Sequence, residues 1–136
     1  MSQKNGLQLL NVGLWIAQLL LILVLLMTGL MKLFQPIEKL ATRYLWMGQV
    51  PAIFLRFLGL CNLLGCLGLL LPSLLRIKPV LTVWTAFAII VLMICAIVFH
   101  LSRGETQIIG FNILIAALAA FVAWGRSKRL PIRPKI

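Results

Sequence analysis

Four long apolar stretches dominate this sequence, and each is long enough to cross a lipid bilayer as one helix. They lie at about 11–34, 51–71, 79–101 and 107–125, and a membrane-spanning helix needs about 20 mostly apolar residues. Hydrophobic residues make up 62% of the chain, so a water-soluble domain of 136 residues could not bury its apolar surface. Short connections favour antiparallel neighbours. The sequence therefore predicts an all-α fold, an integral membrane four-helix bundle in a single domain.

The segment between the first two spans, QPIEKLATRYLWMGQ, has the pattern of a short amphipathic helix. Ile37, Leu40, Ala41 and Tyr44 recur at helical spacing, whereas the charged side chains point elsewhere. We predict that this helix lies in the membrane interface. Tyr44 and Trp46 fit the aromatic belt that is typical of that interface.

Basic residues are distributed unequally between the two ends of the predicted bundle. Eight of the 13 Lys and Arg residues fall on the side of both termini and the 72–79 loop. Three lie in the segments at the other end, or five if Lys32 and Arg56 near the helix ends are counted. Because basic loops stay in the cytoplasm, both termini and the basic tail 126–136 are predicted to be cytoplasmic. The expected location is the inner or plasma membrane.

The net charge of +11 does not indicate nucleic-acid binding. Basic and aromatic residues do not alternate on a solvated surface, as they would in a nucleic-acid interface. The basic residues suit contacts with anionic lipid heads instead, so membrane lipids are the expected partners and nucleic acid is not.

The three cysteines, Cys61, Cys66 and Cys95, all lie inside apolar stretches. Their number is odd and no CxxC motif is present, so we expect small packing residues rather than a disulfide or a redox pair. With one histidine and no suitably spaced cysteine pair, no metal site is expected.

The stretch VFHLSRGETQ, residues 98–107, contains the only histidine and one of the two acids. In a four-span bundle, the ends of spans one and three and the starts of spans two and four share one leaflet. Polar residues from four parts of the sequence should therefore converge at the outer mouth of the bundle. The candidate ligand-binding residues there are Lys32, Glu38, Arg56, Asn62, His100, Arg103 and Glu105.

Arg56 lies more than one turn inside the second span, where an unpaired charge is costly. Two interpretations stay open: the side chain reaches out to the interface, or it pairs with Glu105 or Glu38. We predict an Arg56–Glu105 pair with His100 beside it, lining a pocket for a lipophile. Quinones, fatty acids and lipid heads fit such a pocket equally well.

Three motifs resemble the DoxX-like membrane proteins: GLMKLFQPIEKLA (29–41), RFLGLCNLLGCLGLLLP (56–72) and FHLSRGE (99–105). The resemblance covers about residues 14–125. It implies a four-helix membrane bundle linked to quinone-dependent or terminal oxidase systems, with quinone as the implied ligand. The motif positions that carry over are Lys32, Glu38, Arg56, His100, Arg103 and Glu105. Asn62 stands where the family pattern suggests a Glu, and an amide cannot carry protons as a carboxylate can.

Three functions are compatible with these features. The first, which we expect, is a non-catalytic subunit or accessory protein of a membrane redox or quinone-linked system, with a redox complex or a second copy of the chain as partner. The second is a membrane enzyme acting on a lipophilic substrate, with Glu105 and His100 as acid and base. The third is a small transporter, although no broken-helix pair or inverted repeat is evident.

Overall fold

A computed structural model describes residues 3–134, which form five α-helices and no strand. The helices are α1 (Gln3–Phe34), α2 (Ile37–Arg43), α3 (Ala52–Leu75), α4 (Val80–Ser102) and α5 (Thr106–Trp124). A short 3₁₀ segment, Leu45–Gly48, follows α2, and a π-helical turn, Gly125–Arg129, follows α5. The predicted all-α class is confirmed.

The helices α1, α3, α4 and α5 carry the four apolar stretches and are long and apolar enough to cross a membrane. Their outward faces expose large apolar side chains such as Ile53, Trp84 and Val98, as expected for a surface that contacts lipid. The chain is therefore a multi-pass membrane protein. The first helix begins at Gln3 rather than near residue 11, because its polar first turns continue the helix beyond the apolar stretch.

The four long helices form a ring in the order α1, α3, α4, α5, in which each helix packs against its two neighbours. Two glycines, Gly29 and Gly59, allow α1 and α3 to pack with their backbones close together. A Cβ atom placed on Gly59 would lie 3.0 Å from the carbonyl oxygen of Gly29 and 2.9 Å from Cβ of Lys32. Small residues permit such close backbone packing inside a membrane, and this contact sets where Lys32 lies.

The short helix α2 packs against the end of the bundle as its pattern predicts. Leu40 is fully buried, whereas Glu38, Lys39 and Arg43 are exposed. Leu40 belongs to a small apolar cluster with Trp46, Met47 and Leu55. The prediction for Trp46 was wrong: its side chain is 8% exposed and points into the protein, because the 3₁₀ segment turns it towards α4.

Helix α3 continues through Pro72 to Leu75, four residues beyond the apolar stretch predicted at 51–71. A proline has no N–H, so the carbonyl of Gly68 loses its helical partner. Thr82 Oγ1 on α4 donates to that carbonyl at 3.3 Å. The neighbouring helix thus satisfies the group that Pro72 leaves free.

A chain of hydrogen bonds continues from Thr82 across the bundle. The hydroxyls of Ser73 and Thr82 lie 2.6 Å apart, and Gln18 Nε2 donates to Ser73 Oγ at 3.3 Å and to the Leu69 carbonyl at 3.2 Å. Gln18 Oε1 in turn accepts from Arg126 Nε at 2.8 Å. This polar chain, from Arg126 through Gln18 and Ser73 to Thr82, links α1, α3 and α4 with the π-helical turn that follows α5. Arg126 is buried, although it was predicted to be part of the basic tail 126–136. Lys135, near the end of that tail, lies outside the described residues.

Candidate functional site

A cavity of about 600 Å³ lies between the four long helices at the end where α1 leads into α2 and α4 leads into α5. Its volume is within the range of about 300–1,000 Å³ that is common for small-molecule sites. We call it the mouth cavity. Apolar and aromatic side chains form most of its wall, and the polar residues in the wall are Thr28, Lys32, Tyr44, Asn62, His100 and Asn112.

Lys32 and Asn62 form one polar pair in this wall. The hydrogen-bonding surroundings favour the Asn62 amide with its oxygen towards α1, an assignment made from the network. The oxygen then accepts from Lys32 Nζ at 3.2 Å and lies 3.0 Å from Thr28 Oγ1, while the amide nitrogen donates to the Leu58 carbonyl at 3.3 Å. The Lys32 amino group also lies 6.0 Å from the centre of the Trp46 ring. Two of the three donors on Lys32 are therefore not used by Asn62.

Asn112 on α5 lines the same cavity. Its side chain is 7% exposed, and its Nδ2 atom makes no hydrogen bond to any residue that the structure describes. A buried donor that is left unsatisfied costs about 1–3 kcal/mol. Asn112 was not predicted as a site residue, although a single amide within an apolar span was a usable signal.

His100, Arg103 and Glu105 form a compact polar group beside the mouth cavity. Glu105 Oε1 accepts from Arg103 Nε at 2.6 Å and lies 3.2 Å from His100 Nδ1, and Arg103 also donates to the side chain of Gln49. Partial burial raises the pKa of the Glu105 carboxyl, but the hydrogen bonds from Arg103 and His100 outweigh this and hold the pKa below its usual value of 4.5. The carboxylate is therefore charged at neutral pH.

His100 connects this polar group to the cavity. Its side chain is 4% exposed and lines the mouth cavity. The ring packs edge-on against Trp46 and Phe99, with ring centres 5.5 Å and 5.2 Å away. A carboxylate at Nδ1 favours the tautomer that carries its proton there, which fixes the ring orientation.

The predicted Arg56–Glu105 pair is wrong. Arg56 Nη1 donates to the backbone carbonyls of Lys32 at 2.6 Å and Gln35 at 2.9 Å, whereas Glu105 pairs with Arg103 and His100. The reason lies in α1: residue 36 is a proline, so the Lys32 carbonyl has no helical N–H partner. Arg56 supplies that donor and closes the end of α1.

The structure thus divides the seven candidate residues. Lys32, Asn62 and His100 line the mouth cavity, and Arg103 and Glu105 lie one contact behind His100. Arg56 binds the end of α1. Glu38 is exposed on α2 and is not part of the lining.

The match to a known family covers most of the chain. The model of the DoxX-like family matches residues 16–122, which include α2, α3, α4, most of α1 and α5, and every residue of the mouth cavity. Comparison with curated proteins and with solved structures gives no match. On the extent of this family match, the chain belongs to the DoxX-like family.

Proposed function

We propose that this protein is a non-catalytic membrane subunit or accessory protein whose mouth cavity binds a lipophile with a carbonyl-bearing head, and that the head is a quinone. The observation that carries the proposal is the Asn112 amide nitrogen, a buried donor without a partner among the described residues, in the wall of a mostly apolar cavity. A carbonyl oxygen accepts hydrogen bonds and brings no charge into the membrane. It is therefore the group that best satisfies this donor.

The rest of the cavity also fits a quinone. Lys32 on α1 supplies further donors on the same cavity, so two carbonyl oxygens of one ring could each be bound. Trp46, Phe99 and Phe111 contribute aromatic surface for a flat ring. The Asn62 position, with an amide rather than a carboxylate, favours binding over proton transfer.

The proposal can be tested with Trp46 as an internal probe. The chain contains four tryptophans, and replacing three of them by Phe leaves only Trp46 in the cavity wall. A short-chain benzoquinone should quench the fluorescence of this protein in detergent with a saturable binding curve. A protein that retains only Trp84, on the outer face of α4, should show weaker quenching that rises linearly with quinone.

Two variants on α5 make the test specific. Asn112→Leu removes the unpartnered donor and should weaken quinone binding about three- to tenfold, as expected for one neutral hydrogen bond of about 0.5–1.5 kcal/mol. Gln107→Leu makes the same kind of change at an exposed position outside the cavity and should bind as the unaltered protein does. Linear quenching of Trp46, or equal binding by both variants, would refute the proposal.

We also propose that both termini are cytoplasmic and that the chain lies in the cell membrane beside a redox complex. The excess of basic residues at the end with the termini supports the orientation. Reporter fusions in the loop between α3 and α4 should report cytoplasm, and a fusion next to Arg103 should not. Proteins that co-purify in mild detergent, identified by mass spectrometry, should include a quinone-dependent oxidoreductase; recovery of the chain only with itself would contradict the accessory role.

One contact favours the enzyme alternative. The Glu105 carboxylate lies 3.2 Å from His100 Nδ1, and His100 lines the cavity, which is the arrangement of an oriented acid–base histidine. An enzyme would convert the lipophile that co-purifies with it. The His100→Gln variant would then retain binding and lose conversion, whereas the proposed accessory protein leaves the lipophile chemically unchanged.

A further inference from the structure

A second cavity, of about 700 Å³, lies at the opposite end of the bundle. It is bounded by the first turns of α1, the end of α3 and the segment after α5, and we call it the basal cavity. Three basic side chains line it: Lys4, Arg76 and Arg126. The only two acidic residues of the sequence, Glu38 and Glu105, lie at the other end, in α2 and before α5. No acidic side chain therefore balances the basic group here.

Arg126 is the most constrained member of this group. Its side chain is 4% exposed. Nε donates to Gln18 Oε1 at 2.8 Å, and Nη1 donates to Asn11 Oδ1 at 2.9 Å and to the Leu130 carbonyl at 3.2 Å. The guanidinium carbon lies 5.4 Å from the centre of the Trp15 ring. All of these partners are neutral.

One donor of Arg126 remains unused. Nη2 is buried and makes no hydrogen bond to any part of residues 3–134. A buried cation with a free donor and only neutral partners is unfavourable unless an anion completes its surroundings. Arg76 strengthens the case, because its Nε donates to the Arg133 carbonyl at 2.8 Å and so holds the segment after α5 across the basal cavity.

We propose that the basal cavity binds a phosphate group, which accepts a hydrogen bond from Arg126 Nη2 and is held by the charges of Lys4 and Arg76. Phosphate oxygens match the planar donors of arginine. The remaining wall includes Leu7, Leu74 and Ile132, which leaves apolar surface for the glycerol and upper chains of a phospholipid. The same donors would also accept free phosphate, so the two sources must be separated by experiment.

The test uses the delipidated protein in detergent, titrated with three probes. Native mass spectrometry measures binding of the two lipid probes, and thermal unfolding measures the effect of inorganic phosphate. The probes are dioleoyl phosphatidylglycerol, dioleoylglycerol without the phosphate, and inorganic phosphate. We expect phosphatidylglycerol to bind well above dioleoylglycerol. Raised thermal stability with inorganic phosphate as well would identify the phosphate group itself as the ligand. A response to phosphatidylglycerol alone would identify the lipid as the source.

The matched pair of variants is Arg126→Gln and Arg129→Gln. Both remove one positive charge from the same π-helical turn, but Arg129 is exposed and does not line the basal cavity. Loss of a charge-assisted hydrogen bond should weaken phosphatidylglycerol binding about tenfold or more in Arg126→Gln, and Arg129→Gln should bind as the unaltered protein does. Equal affinities of the two variants would overturn the proposal.

Arg126→Gln also removes part of the buried polar chain and could prevent folding. The double variant Lys4→Gln, Arg76→Gln avoids this difficulty, because both residues are exposed. It should fold and still lose affinity for the phosphate-bearing probe. Unchanged affinity in this variant, or equal binding of dioleoylglycerol and phosphatidylglycerol, would also overturn the proposal.

Discussion

Replacing Gly59 by alanine tests whether the close packing of α1 and α3 holds the mouth cavity in shape. The added Cβ would lie 2.9 Å from Lys32 Cβ and 3.0 Å from both the Gly29 carbonyl oxygen and Leu33 Cγ. These atoms belong to the backbone or to the base of a side chain, so they cannot move without moving α1. Forcing extra volume into a packed site typically costs about 1–3 kcal/mol.

The expected magnitude follows from comparison with Gly110. A Cβ on Gly110, which is exposed on α5, would meet nothing within 4 Å. Both substitutions gain the same helix propensity, about 1 kcal/mol. Gly110→Ala should therefore stabilise the protein, whereas Gly59→Ala should be less stable than Gly110→Ala by about 1–3 kcal/mol.

The assay is reversible unfolding of each variant in mixed micelles of mild detergent and dodecyl sulfate, followed by circular dichroism. Quinone quenching of Trp46 provides a second measurement, because displacement of α1 moves Lys32 in the cavity wall. If Gly59→Ala is as stable as Gly110→Ala and binds quinone equally well, the two helices do not pack as closely as the structure shows. Close packing of α1 against α3 would then not be what holds the mouth cavity in shape.

Three further predictions concern charges and thiols. The folded state holds the pKa of Glu105 below its usual 4.5. The ionised carboxylate therefore stabilises the fold fully above that pH, and this stabilisation is lost as the pH falls through the folded-state pKa. The melting temperatures of the unaltered protein and Glu105→Gln should differ at pH 7 and converge in acid. The effects of Arg56→Met and Glu105→Gln on melting temperature should add, because the two side chains share no partner; a strong coupling would revive a direct pair. All three cysteines are free, so replacing them with alanine should leave the melting temperature close to that of the unaltered protein, and a disulfide on non-reducing gels would contradict this.

The convergence of polar residues at one end of the bundle was predictable from the order of the spans alone. Once four antiparallel helices are accepted, Lys32, Asn62 and His100 must approach one another, and the structure places all three in one wall. The order of the spans assigns each residue to a leaflet but does not determine which side chain it contacts.

Two of the errors arose where a proline leaves a backbone carbonyl without its helical N–H. Arg56 was expected to find a carboxylate, but Pro36 leaves the Lys32 carbonyl without its N–H and so creates a closer acceptor. Thr82 satisfies the carbonyl that Pro72 frees in the same way. In both cases the proline was visible in the sequence. The sequence did not show which neighbouring helix would supply the hydrogen-bond donor, because that depends on how the helices rotate and pack.

The polar chain from Arg126 to Thr82 has a mechanical consequence for the bundle. Its hydrogen bonds join α1, α3, α4 and the turn after α5 at the basal end, whereas at the other end the mouth cavity leaves a space between the helices. The bundle should therefore be less rigid at the mouth than at the basal end. The helix ends around the mouth cavity can separate while the basal ends stay fixed. Amide hydrogen exchange should show this as a gradient along each long helix, with a bound lipophile slowing exchange only in the half that surrounds it.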